Sequence, residues 1–106
     1  MKIQDGSVIF DGVILNPGVK IGECCIINTG AIIEHDCKIG YNVHIAPGVC
    51  LSGGVSIGNN SMIGAGATII QGINITNNVM IAAGAVVVQN INEPGVYAGI
   101  PARRIK

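Results

Sequence analysis

An aliphatic side chain stands at every sixth position of this chain from Ile3 to Val87, fifteen times without a miss. Three places beyond each rung comes a corner residue: a glycine, or a short polar side chain at Asp36, Asn42, Asn60, Asn78 and Asn90. Glycine, asparagine and aspartate enter positive-φ conformations at low cost, so each marks a tight turn. Cys24 alone breaks this second series. Two places before the rungs the residues are small or β-branched, as at Val13, Cys25, Ala31, Val43 and Ser61. Alternate residues of a strand share a face, so each pair, Val43 with Ile45 for example, points into one core. A helix cannot carry this pattern, because six residues rotate it by about 600° and scatter the ladder round its surface. Short strands and corners in units of six, three to a coil, predict an all-β fold: a parallel β-helix of five coils, ~24 Å tall at the usual strand spacing.

Composition fits a narrow prism. Hydrophobic residues make up 49% of the 106, yet there is one Phe and no Trp, so the interior is filled by Ile and Val. Charged residues are only 11%, well below the usual quarter. With Val8, Ile14, Ile26 and Ile32 pointing outward, that shortage predicts apolar faces covered by other copies, as in a homotrimer. The net charge is zero and no basic stripe stands out, which argues against nucleic acid as a partner. The apolar runs are short and punctuated by glycine, so neither a membrane span nor a signal peptide is expected. The four cysteines include no CxxC pair, which argues against a metal site and for reduced thiols in the cytoplasm.

The hexad register ends near Asn90, so residues 1–91 form the β-helix domain and residues 92–106 a tail. Pro94 and Pro101 break the pattern, and the tail is expected to pack on the helix or on a neighbouring subunit. The first coil has no evident cap; a preceding domain or a neighbour is expected to cover it.

Two histidines carry the possible chemistry. His35 occupies a corner, and His44 is the outward residue before rung Ile45. Nine residues is half a coil, so the two imidazoles point from opposite sides of one prism. Only a ring of prisms brings His35 of one subunit to His44 of the next. Asp36 beside His35 can orient the ring for general-base work, though as a corner residue it also serves the turn. Glu34 reads as a polar outward residue, and most glycines are simply corners.

The run Asn28-Thr29-Gly30-Ala31-Ile32-Ile33-Glu34-His35-Asp36-Cys37-Lys38-Ile39-Gly40, followed by His44-Ile45-Ala46-Pro47-Gly48, resembles the bacterial hexapeptide-repeat sugar O- and N-acetyltransferases. These include the sialic-acid O-acetyltransferases and the enzymes that modify nucleotide-linked 4-amino sugars. The closing Gly99-Ile100-Pro101-Ala102 is similar to a tail shared by hexapeptide acyltransferases. The resemblance implies a left-handed β-helix, a homotrimer, and acetyl-CoA lying between subunits. It implies His35 as general base, Asp36 as its supporting acid, and Asn28 as a polar residue on the acceptor side. It places His44 at the acetyl end of acetyl-CoA, the backbone of Gly53 near the thioester carbonyl, and Ala65 and Ala83 along the pantetheine arm. Members of this family usually begin with a βαβ domain that binds the nucleotide sugar, and with hexads from Ile3 onward no such domain is expected within these 106 residues.

Other readings remain beside it. A γ-type carbonic anhydrase needs three zinc-binding histidines, one more than the chain has. An ice-binding prism needs an outward threonine ladder, which Thr29, Thr68 and Thr76 do not form. A non-catalytic or engineered scaffold, and a serine- or maltose-type acetyltransferase with a small acceptor, stay open.

Overall fold

A computed structural model describes all 106 residues, Met1–Lys106. It holds seventeen strands and no helix, numbered β1–β17 in chain order. Every strand from β1 (Lys2–Ile3) to β13 (Asn74–Ile75) has two residues, because each corner follows at once. Strands pair in parallel with the strand eighteen residues on: Ile3 with Ile21, Ile21 with Ile39, Ile27 with Ile45. Three parallel sheets result, one for each side of a triangular prism of about five coils, and the molecule measures 32 × 21 × 20 Å.

Each side presents a different outer surface. The lysine face stacks β1, β4 (Lys20–Ile21), β7 (Lys38–Ile39), β10 (Ser56–Ile57) and β13. The histidine face runs from β2 (Val8–Ile9) through β5 (Ile26–Ile27), β8 (His44–Ile45) and β11 (Met62–Ile63) to β14 (Val79–Ile81). The aliphatic face runs from β3 (Ile14–Leu15) through β6 (Ile32–Ile33), β9 (Cys50–Leu51) and β12 (Thr68–Ile69) to β15 (Val86–Val87).

The rungs fill the prism. From Ile21 to Val87 every rung is buried, together with small partners such as Cys25, Ala31, Val43 and Val49. Fully burying one such aliphatic side chain is worth about 1.5–3 kcal/mol, which is how strands of two residues hold. Ile3 is 42% exposed, because no coil lies beneath it. Ser61 is the one buried polar residue of the core; its hydroxyl accepts from Val79 N at 3.1 Å. Cys25 and Cys37 are buried and free, with their sulfurs donating to Gly40 O and Ser52 O, and burial pushes both thiols above their ordinary pKa.

Two corner expectations change. Cys24, which breaks the sequence series, still adopts the positive-φ corner at 57°, because the coils on either side leave no other path. Asn90, which continues the series, is absent from the positive-φ residues; its side chain instead accepts from the Asn74 amide at 2.8 Å. Beyond it, β16 (Gly95–Ala98) pairs in parallel with β14, and β17 (Arg103–Arg104) returns antiparallel to β16. Arg104 pairs with Glu93 at 3.0 Å, and the Tyr97 hydroxyl donates to Glu93 O.

Candidate active site

His35 and Asp36 form the corner that joins the aliphatic face to the lysine face. Asp36 takes φ of 60°, which turns its carboxylate back over its neighbour. His35 Nδ1 lies 3.2 Å from Asp36 Oδ2, with the side chains 59% and 73% exposed. A carboxylate only accepts, so this contact requires the proton on Nδ1 and leaves Nε2 of the neutral ring free to take another.

The imidazole is seated by the coil above. A Cβ added to Gly53 would lie 2.5 Å from His35 Nε2 and 2.7 Å from Cε1, so the ring fills the space a side chain would need there. Gly53 stands eighteen residues beyond His35, and the next amide, Gly54 N, donates to His35 O at 2.9 Å. Asp36 is seated in the same way by the coil below, with its carboxylate in the space over Gly18. Glu34, one residue before His35, accepts from Asn16 Nδ2 at 2.9 Å.

His44 lies half-buried on the histidine face, between Ile26 and Met62 in the adjacent strands. Asn28 belongs with His44 and not with His35. Its Oδ1 accepts from the Thr29 amide at 2.8 Å and from the Thr29 hydroxyl at 3.2 Å. That fixes the amide orientation, and Nδ2 then reaches His44 Nε2 at 3.5 Å. With Nε2 accepting, the neutral ring carries its proton on Nδ1 and can donate from there.

Ala65 and Ala83 occupy successive coils at the corner between the histidine and aliphatic faces, both exposed, beside Gly66 and Gly84 at φ of 70° and 72°. Their small side chains leave a smooth edge along which an extended chain can lie. The fold therefore collects the candidate residues into two half-sites. His35, Asp36 and Gly53 form one; Asn28, His44, Ala65 and Ala83 form the other. The corner bearing His35 is opposite the histidine face, so one prism cannot bring the halves together. No cluster of three or more metal-ligating side chains is present.

Sequence reasoning missed the Gly53 seat and the Asn28–His44 pairing. Both were readable as offsets near eighteen residues, one coil apart. It also passed over the alignment of Lys2, Lys20 and Lys38, which share one outer column.

The profile of the family described as "Hexapeptide repeat of succinyl-transferase" matches residues 54–89. No curated protein matches the chain significantly. Among solved structures, it is 37% identical to the acetyltransferase domain of PglB from Neisseria gonorrhoeae FA1090, with a TM-score of 0.95 over 98% of this chain and 51% of that one. A structure of the same domain is in complex with acetyl coenzyme A. A variant of GDP-perosamine N-acetyltransferase from Caulobacter crescentus, in complex with CoA and GDP-perosamine, is 32% identical with a TM-score of 0.80 over 98% of this chain and 57% of that one. A maltose O-acetyltransferase from Clostridium difficile 630 is 32% identical with a TM-score of 0.78, over 96% of this chain and 69% of that one. The chain thus spans only about half the length of the first two of these proteins. On its repeat and these likenesses, the chain belongs to the hexapeptide-repeat acetyltransferases.

Proposed function

We propose that this chain transfers an acetyl group from acetyl-CoA to an amine or hydroxyl of a sugar, and that it does so as a cytoplasmic homotrimer. The observation that carries the reading is the division of the site. His35 with its free Nε2 and His44 with its donating Nδ1 are complementary chemical groups, yet they sit on opposite sides of one prism. A cyclic trimer that sets the His35 corner of one subunit against the histidine face of the next makes one complete cleft per interface.

The roles follow from the protons. His35 Nε2 accepts the proton of the acceptor amine or hydroxyl as its nitrogen or oxygen bonds to the acetyl carbonyl carbon. The carbon–sulfur bond then breaks, and CoA leaves as the thiol after regaining a proton. His44 Nδ1 donates toward the thioester carbonyl oxygen, where negative charge develops. Ala65 and Ala83 offer the pantetheine arm its edge. The outer surfaces support assembly: Val8, Ile14, Ile26, Met62 and Met80 are exposed on the histidine and aliphatic faces, while the third face carries lysines. The amino-sugar acceptor is carried by the likeness to the perosamine enzyme, and a hydroxyl acceptor by the likeness to the maltose enzyme.

Co-refolded mixtures of His35→Ala and His44→Ala subunits test this reading. Each variant alone is expected to be nearly inactive. Random trimers leave about one cleft in four with both native histidines, so roughly a quarter of wild-type activity is expected to return. No recovery in verified heterotrimers would overturn the shared cleft.

A further inference from the structure

Of the sixteen glycines, all but Gly53 answer to the backbone. Eleven hold positive φ, which alone favours glycine. Gly22, Gly40, Gly58 and Gly64 do not, but each directly follows a rung and lies against the next coil. A Cβ on Gly22 would lie 2.5 Å from Gly40 O, and one on Gly64 would lie 2.6 Å from Ala83 N. One on Gly40 would lie 3.1 Å from the Asn59 amide and closer still to its side chain, and one on Gly58 would strike the Thr76 backbone. Gly53 belongs to neither group. Its φ lies outside the positive region, and the three atoms nearest an added Cβ are all in the His35 ring: Nε2 at 2.5 Å, Cε1 at 2.7 Å and Cδ2 at 3.1 Å.

The corner column agrees. Pro17, His35, Gly53, Gln71 and Gln89 follow one another at intervals of eighteen residues, so they occupy the same place in successive coils. The other four carry side chains, so the backbone at this place accepts one. Those four are exposed, whereas Gly53 is buried, because the imidazole from the coil below covers it. A glycine with no positive φ to serve only adds freedom to the unfolded chain. Stability is therefore given up at this one position, and His35 is what occupies the space.

Resting on the acetyltransferase reading above for what His35 does, we infer that Gly53 is a positioning residue for the base. Its bare Cα lets the imidazole tuck against the coil above. In that seat Nδ1 stays 3.2 Å from Asp36 Oδ2, and the Asp36 carboxylate is itself lodged over Gly18. A methyl group at residue 53 pushes the ring outward while Asp36 stays behind. The Nδ1 proton then loses its acceptor, and the lone pair on Nε2 loses its aim.

The ring nitrogens read this seat with no substrate present. Long-range 1H–15N NMR of the full chain, at a pH where His35 is neutral, is expected to find the proton on Nδ1 in wild type. In Gly53→Ala it is expected mostly on Nε2, with the His44 signals unchanged. The same His35 tautomer in both proteins would overturn the role, whatever the chain acetylates. A wild type that acetylates no sugar would instead count against the acetyltransferase reading and leave the NMR result to decide the seat. With an acceptor that wild type acetylates, kcat of Gly53→Ala is expected to fall about 10²-fold, the cost of displacing a catalytic group by roughly 1 Å. The acetyl-CoA KM should hold; a rise in it at unchanged kcat would assign Gly53 to that substrate and overturn the positioning role. Added to His35→Ala, the substitution is expected to cost no further rate, because no ring is left to displace. In that background it should also raise the melting temperature, since the space is empty and alanine restricts the unfolded chain. A fall there would show that the backbone itself needs glycine, and would overturn the role as well.

Discussion

Two corners of the prism solve the same backbone problem and spend their side chains differently. Where the lysine face meets the histidine face, Cys24, Asn42, Asn60 and Asn78 all hold positive φ without being glycine. There the side chains bond to the next coil: Asn42 Nδ2 donates to Asn60 Oδ1 at 2.8 Å, and the Tyr41 and Asn59 amides donate to Asn59 Oδ1 and Asn77 Oδ1. Where the aliphatic face meets the lysine face, Asp36 holds the same conformation at φ of 60° but turns its carboxylate to His35. Its stacked neighbours Gly18, Gly54 and Gly72 have no side chain to bond with. A corner whose polar groups are satisfied along the column is structural. A corner that directs its carboxylate at an exposed imidazole, beneath a glycine kept bare for the ring, is the one the proposed chemistry uses.

Breaking the second corner should be costly to rate and cheap to stability. For His35→Ala, kcat is expected to fall about 10²–10⁴-fold, the usual range for a lost general base. Acetyl-CoA affinity, measured by calorimetry, should be unchanged, because the proton acceptor does not hold that substrate. Equal losses in binding and turnover would make His35 a binding residue. Asp36→Asn is a finer cut, since asparagine keeps the positive-φ corner and removes only the charge. The pair is largely exposed, and exposed pairs are worth about 0.2–1 kcal/mol, so a kcat loss of at most about fivefold is expected with the melting temperature held. A far larger loss would mean that trimer assembly buries the pair.

The period of six told almost everything about the scaffold, because each rung, corner and small inward residue is fixed by local geometry. Ile21 and Ile27 could not be elsewhere once Ile3 and Ile9 were placed. Corner chemistry was legible as a class but not at its exceptions. Cys24 is forced into the positive-φ region by coils it does not choose, and Asn90 escapes it where the stack ends. The candidate site residues could be named from the sequence, but their seats could not. That Asn28 serves His44, and that Gly53 makes room for His35, are contacts between coils. A reading along the chain sees such neighbours only when it also counts in eighteens, as the lysine column shows.

The first corner offers the smallest and sharpest test. Asn60 contributes two separable things: tolerance of φ at 59°, and an oxygen for the Asn42 amide. Asn60→Ala loses both. Backbone strain in the left-handed region costs about 1–2 kcal/mol for an ordinary residue, and a lost hydrogen bond about 0.5–1.5. Because asparagine already bears part of that strain, a net loss of about 1–2 kcal/mol is expected. Asn60→Gly loses the bond but relaxes the corner, while adding roughly 0.5–1 kcal/mol of unfolded-state entropy. Its net change should stay within about 1 kcal/mol of wild type and lie clearly above Asn60→Ala. Urea unfolding of the two variants reads the difference directly. Equal losses would show that the column of side-chain bonds, and not the backbone conformation, holds this corner. That would make its contrast with the His35 corner larger still, since Asp36 has no such column to lean on.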